Sequence, residues 1–111
     1  MAERRCLVVW AEAAVRDLEE IVTRIAVDSP PNAATVLERL ERKAAALEVA
    51  PLRGHVVPEL QRFGIGTFRE LPARPYRIFY RVAGRAAHVL AVLDGRRELE
   101  DVLLDRLVRD P

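Results

Sequence analysis

The hydrophobic period of this chain differs between its first half and its strand region, and the difference limits which elements can share a core. From Ala13 to about Leu47 the apolar residues recur at helical spacing, whereas Tyr76 to Val82 alternates residue by residue. A stripe with a period near 3.6 buries one face of a helix, and a period of two buries one face of a strand. The chain therefore has to lay helices on a sheet. With 111 residues, half of them apolar, it can build one such core and not two, so residues 1–111 are expected to form a single domain.

The elements follow from local signals. Cys6-Leu7-Val8-Val9-Trp10 is a short apolar run suited to a buried strand. Ala14, Leu18, Ile21, Val22 and Ile25 form the stripe of a first helix of about four turns. Asp28-Ser29-Pro30-Pro31 ends it and opens a second, because Ser29 can cap free N–H groups and Pro30 fits a first turn that needs no donor. So short a joint predicts an antiparallel helical hairpin. Glu48 to Gly66 has no clean period and five Pro or Gly residues, which predicts a loop with a strand-like fragment near Val56-Val57. Three strands are expected next: Thr67–Leu71, Tyr76–Val82 and, after a turn at Ala83-Gly84-Arg85, Ala86–Leu93. Leu99, Val102, Leu103 and Leu107 predict a terminal helix over Arg97–Arg109. The expected class is α+β, with helices on one face of an antiparallel sheet.

The formal net charge of +1 conceals a segregation. Residues 1–50 carry 7 basic and 9 acidic side chains, residues 51–85 carry 7 and 2, and residues 86–111 carry 4 and 6. The basic segment is the strand region, with Arg53, Arg62, Arg69, Arg74, Arg77, Arg81 and Arg85. The strand period puts Arg77, Phe79 and Arg81 on one face and Tyr76, Ile78, Tyr80 and Val82 on the other. Two arginines flanking an aromatic ring can hold phosphate, stack on a base, meet carboxylates of a partner peptide, or cover apolar surface with their stems.

Other chemistries find little support. His55 and His88 are far apart and Cys6 is the only cysteine, so no metal-ligand spacing and no internal disulfide exists. His88 in its apolar strand reads as structural. His55 in the loop reads as a proton carrier with nothing nearby in sequence to orient it. Gly64-Ile65-Gly66 lacks the rest of a phosphate loop. With no charged leader and no apolar run of about 18 residues, a cytoplasmic protein is expected.

Arg69-Glu70-Leu71, Tyr76-Arg77-Ile78-Phe79-Tyr80-Arg81-Val82 and Leu93-Asp94-Gly95-Arg96-Arg97, together with the strand ending in Trp10, the Asp28-Ser29-Pro30 joint and Val57-Pro58-Glu59-Leu60, resemble the RelE/ParE superfamily of bacterial type II toxin–antitoxin toxins. The resemblance covers nearly the whole chain. It implies growth inhibition, no cofactor, and neutralisation by an antitoxin whose C-terminal segment wraps the toxin. RelE-like members cleave messenger RNA in the ribosomal A site; ParE-like members inhibit DNA gyrase.

The branches differ at named positions. The RelE-like cleft uses two lysines on the strand before the "YR" strand, the arginine of "YR", an arginine after the next glycine turn, and a tyrosine six residues on. Here those positions hold Phe68 and Glu70, Arg77, Arg97 and Leu103. Arginine stabilises charge but transfers protons badly, so Arg77 and Arg97 can hold a phosphate without completing the cleavage. Glu70 is the one candidate base, with no histidine or tyrosine after His88 to serve as acid. The resemblance thus implies a ParE-like, non-enzymatic toxin aimed at gyrase. A ribosome-dependent endonuclease using Arg77, Arg97 and Glu70 is the alternative, and a non-toxic scaffold that only binds antitoxin is the third possibility. The exposed hairpin face and Arg69, Arg77, Arg81, Arg96 and Arg97 are the expected binding surfaces, the arginines meeting an acidic or amphipathic antitoxin tail. Equally, Arg77 and Arg97 can knit the sheet to the terminal helix through Glu70, Asp94 or Glu98.

Overall fold

The computed structural model describes residues 5–109. Strand β1 (Leu7–Trp10) leads into helices α1 (Glu12–Asp28) and α2 (Pro30–Ala45), the latter extended by a tight turn to Glu48. The predicted joint forms as the sequence requires: Ser29 alone separates the helices, its hydroxyl accepts from the Asn32 N–H at 3.3 Å, and Pro30 occupies the first turn. Strand β2 (His55–Val56) and a one-turn helix α3 (Pro58–Gln61) interrupt the irregular segment; α3 is not signalled by any period. Strands β3 (Phe68–Ala73), β4 (Tyr76–Ala83) and β5 (Ala86–Asp94) follow as a meander. The terminal helix is shorter than predicted. It begins at Glu100, runs as α4 to Leu103 and continues in wider turns through Arg109.

The five strands lie in the order β1-β5-β4-β3-β2. Every pairing is antiparallel except that of β1 with β5, so the expected antiparallel sheet is mixed at that edge. A parallel pair needs a long connection, and the helical hairpin is part of it.

Each face of the sheet carries its own core. On the first face Leu71, Ile78, Tyr80, Ala87, Val89 and Val92 pack under Ala14, Leu18, Ile21, Leu40 and Ala44 of the hairpin. On the second, Val57, Leu60, Phe68, Phe79 and Ala91 pack under Leu99, Leu103 and Leu107. Strand β5 contributes to both, with Leu90 as an extra residue: Phe79 pairs with Ala91 and Tyr80 with Val89. This bulge reverses the alternation, sending Val89 and Val92 to one face and Ala91 to the other. Asp17 ties the layers together, accepting from the Val92 N–H at 3.0 Å and from Arg106 at 2.8 Å.

Candidate functional site

The charged residues singled out by the sequence do not form one surface. Arg69 pairs across the ladder with Tyr80 and so lies on the hairpin face, where its guanidinium donates to the carbonyl of Gly54 at 2.7 Å. Arg77 and Arg81 occupy the opposite face. Phe79 between them is fully buried in the second core, with the Arg77 guanidinium 5.0 Å from its ring centroid. The expected aromatic platform is therefore covered by the protein itself and offers no stacking surface to a base. Phe68 and Leu103, at two of the positions where RelE-like nucleases carry catalytic groups, are buried as well.

A charged network converges on Arg77. Its Nη1 and Nη2 donate to the two carboxylate oxygens of Glu59 at 2.7 and 2.8 Å, a bidentate fork. Its Nε donates to Glu70 Oε2 at 3.0 Å, and Nη2 also contacts that oxygen. The other oxygen of Glu70 lies 2.8 Å from His55 Nε2. Glu70 is the one buried charged residue among the described residues, only 5% exposed, while the His55 side chain is 58% exposed. The hydrogen bonds from Arg77 hold the Glu59 carboxyl below its ordinary range. The same bonds, Glu59's first, raise Arg77 further above its ordinary value against the opposing effect of burial.

Local chain features place each member. The β2–β3 register sets His55 opposite Glu70. Gly54 makes this possible, because a Cβ there would lie 2.6 Å from the Glu70 carbonyl oxygen and from Tyr80 Oη. The buried Tyr80 hydroxyl donates to the Pro51 carbonyl at 2.8 Å and accepts from the Gly54 N–H at 2.9 Å, pinning the loop to β4. On the other side, a Cβ at Gly95 would sit 2.8 Å from Arg77 Cδ, so the glycine of the "DGRR" turn is needed for close packing on the arginine stem. Arg96 of that turn is held by Asp94, which its bonds lower to a pKa of about 2. Arg97 is exposed and lines a separate hollow with Glu59, Arg62 and Glu98.

Two members of the network, Glu59 and His55, are not tied to Arg77 by the sequence. Glu59 was visible only as part of Val57-Pro58-Glu59-Leu60, and His55 stood alone in a loop. Arg77 does meet Glu70, but Glu70 is on β3, so that bond joins two strands and does not reach the terminal helix; the bidentate partner is Glu59, on a helix that no period announces. Among the described residues no group of three or more His, Cys, Asp or Glu side chains is arranged to hold a metal ion, and no helix is long and apolar enough to cross a membrane.

Chemically the network is close to saturated. Four of the five N–H groups of Arg77 are engaged. One guanidinium faces two carboxylates, so the cluster is net negative unless His55 is protonated.

Residues 8–99 match the family described as ParE toxin of type II toxin–antitoxin system, parDE. The chain belongs to the ParE toxin family. Solved structures agree on the fold. A chain of the chromosomal ParDE toxin–antitoxin system from P. aeruginosa superposes with a TM-score of 0.69 at 19% identity, covering 83% of this chain and 98% of that one. The free-state structure of an E. coli RelE mutant gives 0.64 at 18% identity, covering 96% and 99%. The RelBE2 toxin–antitoxin complex from Mycobacterium tuberculosis gives 0.58 at 23% identity, covering 81% and 98%. No curated protein matches the chain in sequence. This ParE-family toxin thus has the RelE/ParE fold, with Glu59, Glu70 and Gly95 of the quoted motifs gathered around Arg77.

Proposed function

We propose that this toxin acts in the cytoplasm without a catalytic centre of its own, by binding DNA gyrase, and that a cognate antitoxin neutralises it. The observation that carries the proposal is the occupation of Arg77. A nuclease needs that arginine free to hold a scissile phosphate, and here Glu59 and Glu70 already fill its donors and outweigh its charge. The family match and the burial of Phe68 and Leu103 support the same reading.

A second reading is favoured by one contact. His55, solvent-accessible and 2.8 Å from Glu70, is a histidine–carboxylate pair beside an arginine, the composition of a general acid–base site. On that reading the protein is a ribosome-dependent messenger-RNA endonuclease.

Purified toxin added to gyrase supercoiling reactions, and separately to ribosomes carrying a defined message, decides between them. Inhibited supercoiling with an intact message is the expected result. Cleavage of the message, lost in His55→Ala and without effect on supercoiling, would overturn the gyrase proposal. Neither effect, with harmless overexpression, would leave a scaffold that binds antitoxin only.

A further inference from the structure

The helical hairpin lies on the sheet face opposite the Arg77 network, and one flank of α2 concentrates positive charge there. Arg39, Arg42, Lys43 and Ala46 recur at i, i+3, i+4 and i+7, so they share that flank, while Glu41 points to the other side of the helix. With Arg53, from the loop that follows, they wall an open hollow of about 270 Å³.

Arg53 stands there because its loop is clasped. The buried Tyr80 hydroxyl holds the Pro51 carbonyl on one side of it and the Gly54 N–H on the other, and the Arg53 N–H donates to the Ala50 carbonyl at 3.2 Å. Arg69 donates to the carbonyls of Leu52 and Gly54 and adds a further cation beside the loop. Of these five cations Arg42 alone has a carboxylate, that of Glu38; Arg39, Lys43, Arg53 and Arg69 form no ion pair among the described residues. Cations in a last turn answer the helix dipole, which accounts for Arg42 and Lys43. It does not account for Arg39, a turn earlier, or for Arg53, which the loop delivers.

We propose that this patch binds the phosphodiester backbone of duplex DNA without reading its sequence. The cations rise from about 6 Å of helix between Arg39 and Lys43 and from the loop beside it, a row that suits successive phosphates rather than one small anion. No aromatic ring lies among the walls, so the bases of a single strand find no stacking platform. Contacts to phosphate position a protein on the duplex and carry no sequence information. The patch thus holds the toxin to the DNA on which gyrase works. That consequence rests on the gyrase reading; the chemistry of the patch does not.

Binding of the purified full-length toxin to a fluorescein-labelled duplex of about 30 base pairs is followed by anisotropy between about 0.05 and 0.2 M salt. Micromolar affinity is expected, with a log–log salt slope of about −3, the mark of three or four neutralised phosphates. The double variant Arg39→Gln, Arg53→Gln is expected to bind about 10-fold more weakly, with the slope reduced by about 2. Its melting temperature should not change, since both side chains are exposed and unpaired. Arg24→Gln, which removes an exposed cation of α1 beside Glu20, is expected to change affinity by less than about 2-fold. Absence of binding at the lowest salt overturns the proposal, and so does an equal loss in Arg24→Gln and the double variant. Tighter binding of a single strand or of duplex RNA of the same length overturns it too. If the wild type binds no DNA while the double variant loses its effect on gyrase supercoiling, the patch meets a protein surface of gyrase and the proposal falls. If duplex binding depends on Arg39 and Arg53 but supercoiling is never inhibited, the gyrase reading falls and the DNA site stands.

Discussion

Arg77 and Arg81 stand four residues apart on one face of β4, and the protein treats them in opposite ways. Arg77 is enclosed, with a bidentate carboxylate, a second carboxylate and a glycine packed on its stem. Arg81 lines an open cavity with its Nε unanswered. Nothing in the strand itself distinguishes them. The difference lies in what the chain lays over each end: α3 and the loop before it bring acids to Arg77, while only the terminal turns and the start of α1 approach Arg81. A charged residue on a sheet face is structural or available according to its cover, and this fold shows both outcomes on one strand.

The largest test of that contrast is Arg77→Ala. It leaves the buried Glu70 and the partly buried Glu59 side by side without the guanidinium between them, His55 alone remaining on Glu70, at an expected cost of about 3–5 kcal/mol. For a domain of this size that is a fall in melting temperature of about 12–20 °C. Unchanged melting would mean that the network is dispensable to the fold and would reopen Arg77 as a free functional arginine. Gly54→Ala attacks the same end from the loop side. The added methyl meets the Glu70 carbonyl, which cannot move without opening the β2–β3 pairing, so a loss of about 1–3 kcal/mol in denaturant unfolding is expected.

Acid should act on the enclosed end too. The Glu59 carboxyl is held below its ordinary value of 4.5 in the folded protein, chiefly by the hydrogen bonds from Arg77. A group lowered in this way contributes its full stability above the unfolded value, and that contribution is lost as the pH falls through the folded one. Stability is therefore expected to decline below about pH 4.5. Glu59→Gln should be less stable at neutral pH and show a shallower decline, read from denaturation midpoints across pH 3–7. An identical acid limb in both proteins would show that Glu59 is not the group titrating.

The enclosed end is also where the sequence was least readable. The helical hairpin was legible to its cap, because Ser29 and Pro30 act within a few residues of the positions they control. The inward face of β4 was legible for the same reason, as Ile78 and Tyr80 announce it by alternation. Phe79 follows that alternation equally well, yet its burial depends on Leu99, Leu103 and Leu107 arriving from the far end of the chain. Likewise the partners of Arg77 come from an aperiodic segment, where no spacing encodes register, so Glu59 and His55 could not be assigned to it. The bulge at Leu90 carries no glycine or proline to mark it, and a four-residue strand such as β1 does not state which neighbour it will take.

The smallest expected effect is the sharpest on the contrast. Arg81→Leu removes a charge but also removes a buried donor that has no acceptor, and the cavity it faces is walled by apolar side chains. The lost solvation of a guanidinium tip and the relieved Nε oppose each other, so stability should change by no more than about 0.5 kcal/mol in either direction. A residue that can be deleted from the free toxin at so little cost is not there to hold the fold. If instead Arg81→Leu destabilises the isolated chain by as much as Arg77→Ala does, the two ends of β4 are equivalent and the cavity is a packing defect. If stability is unchanged while antitoxin affinity falls, the open end is retained for binding.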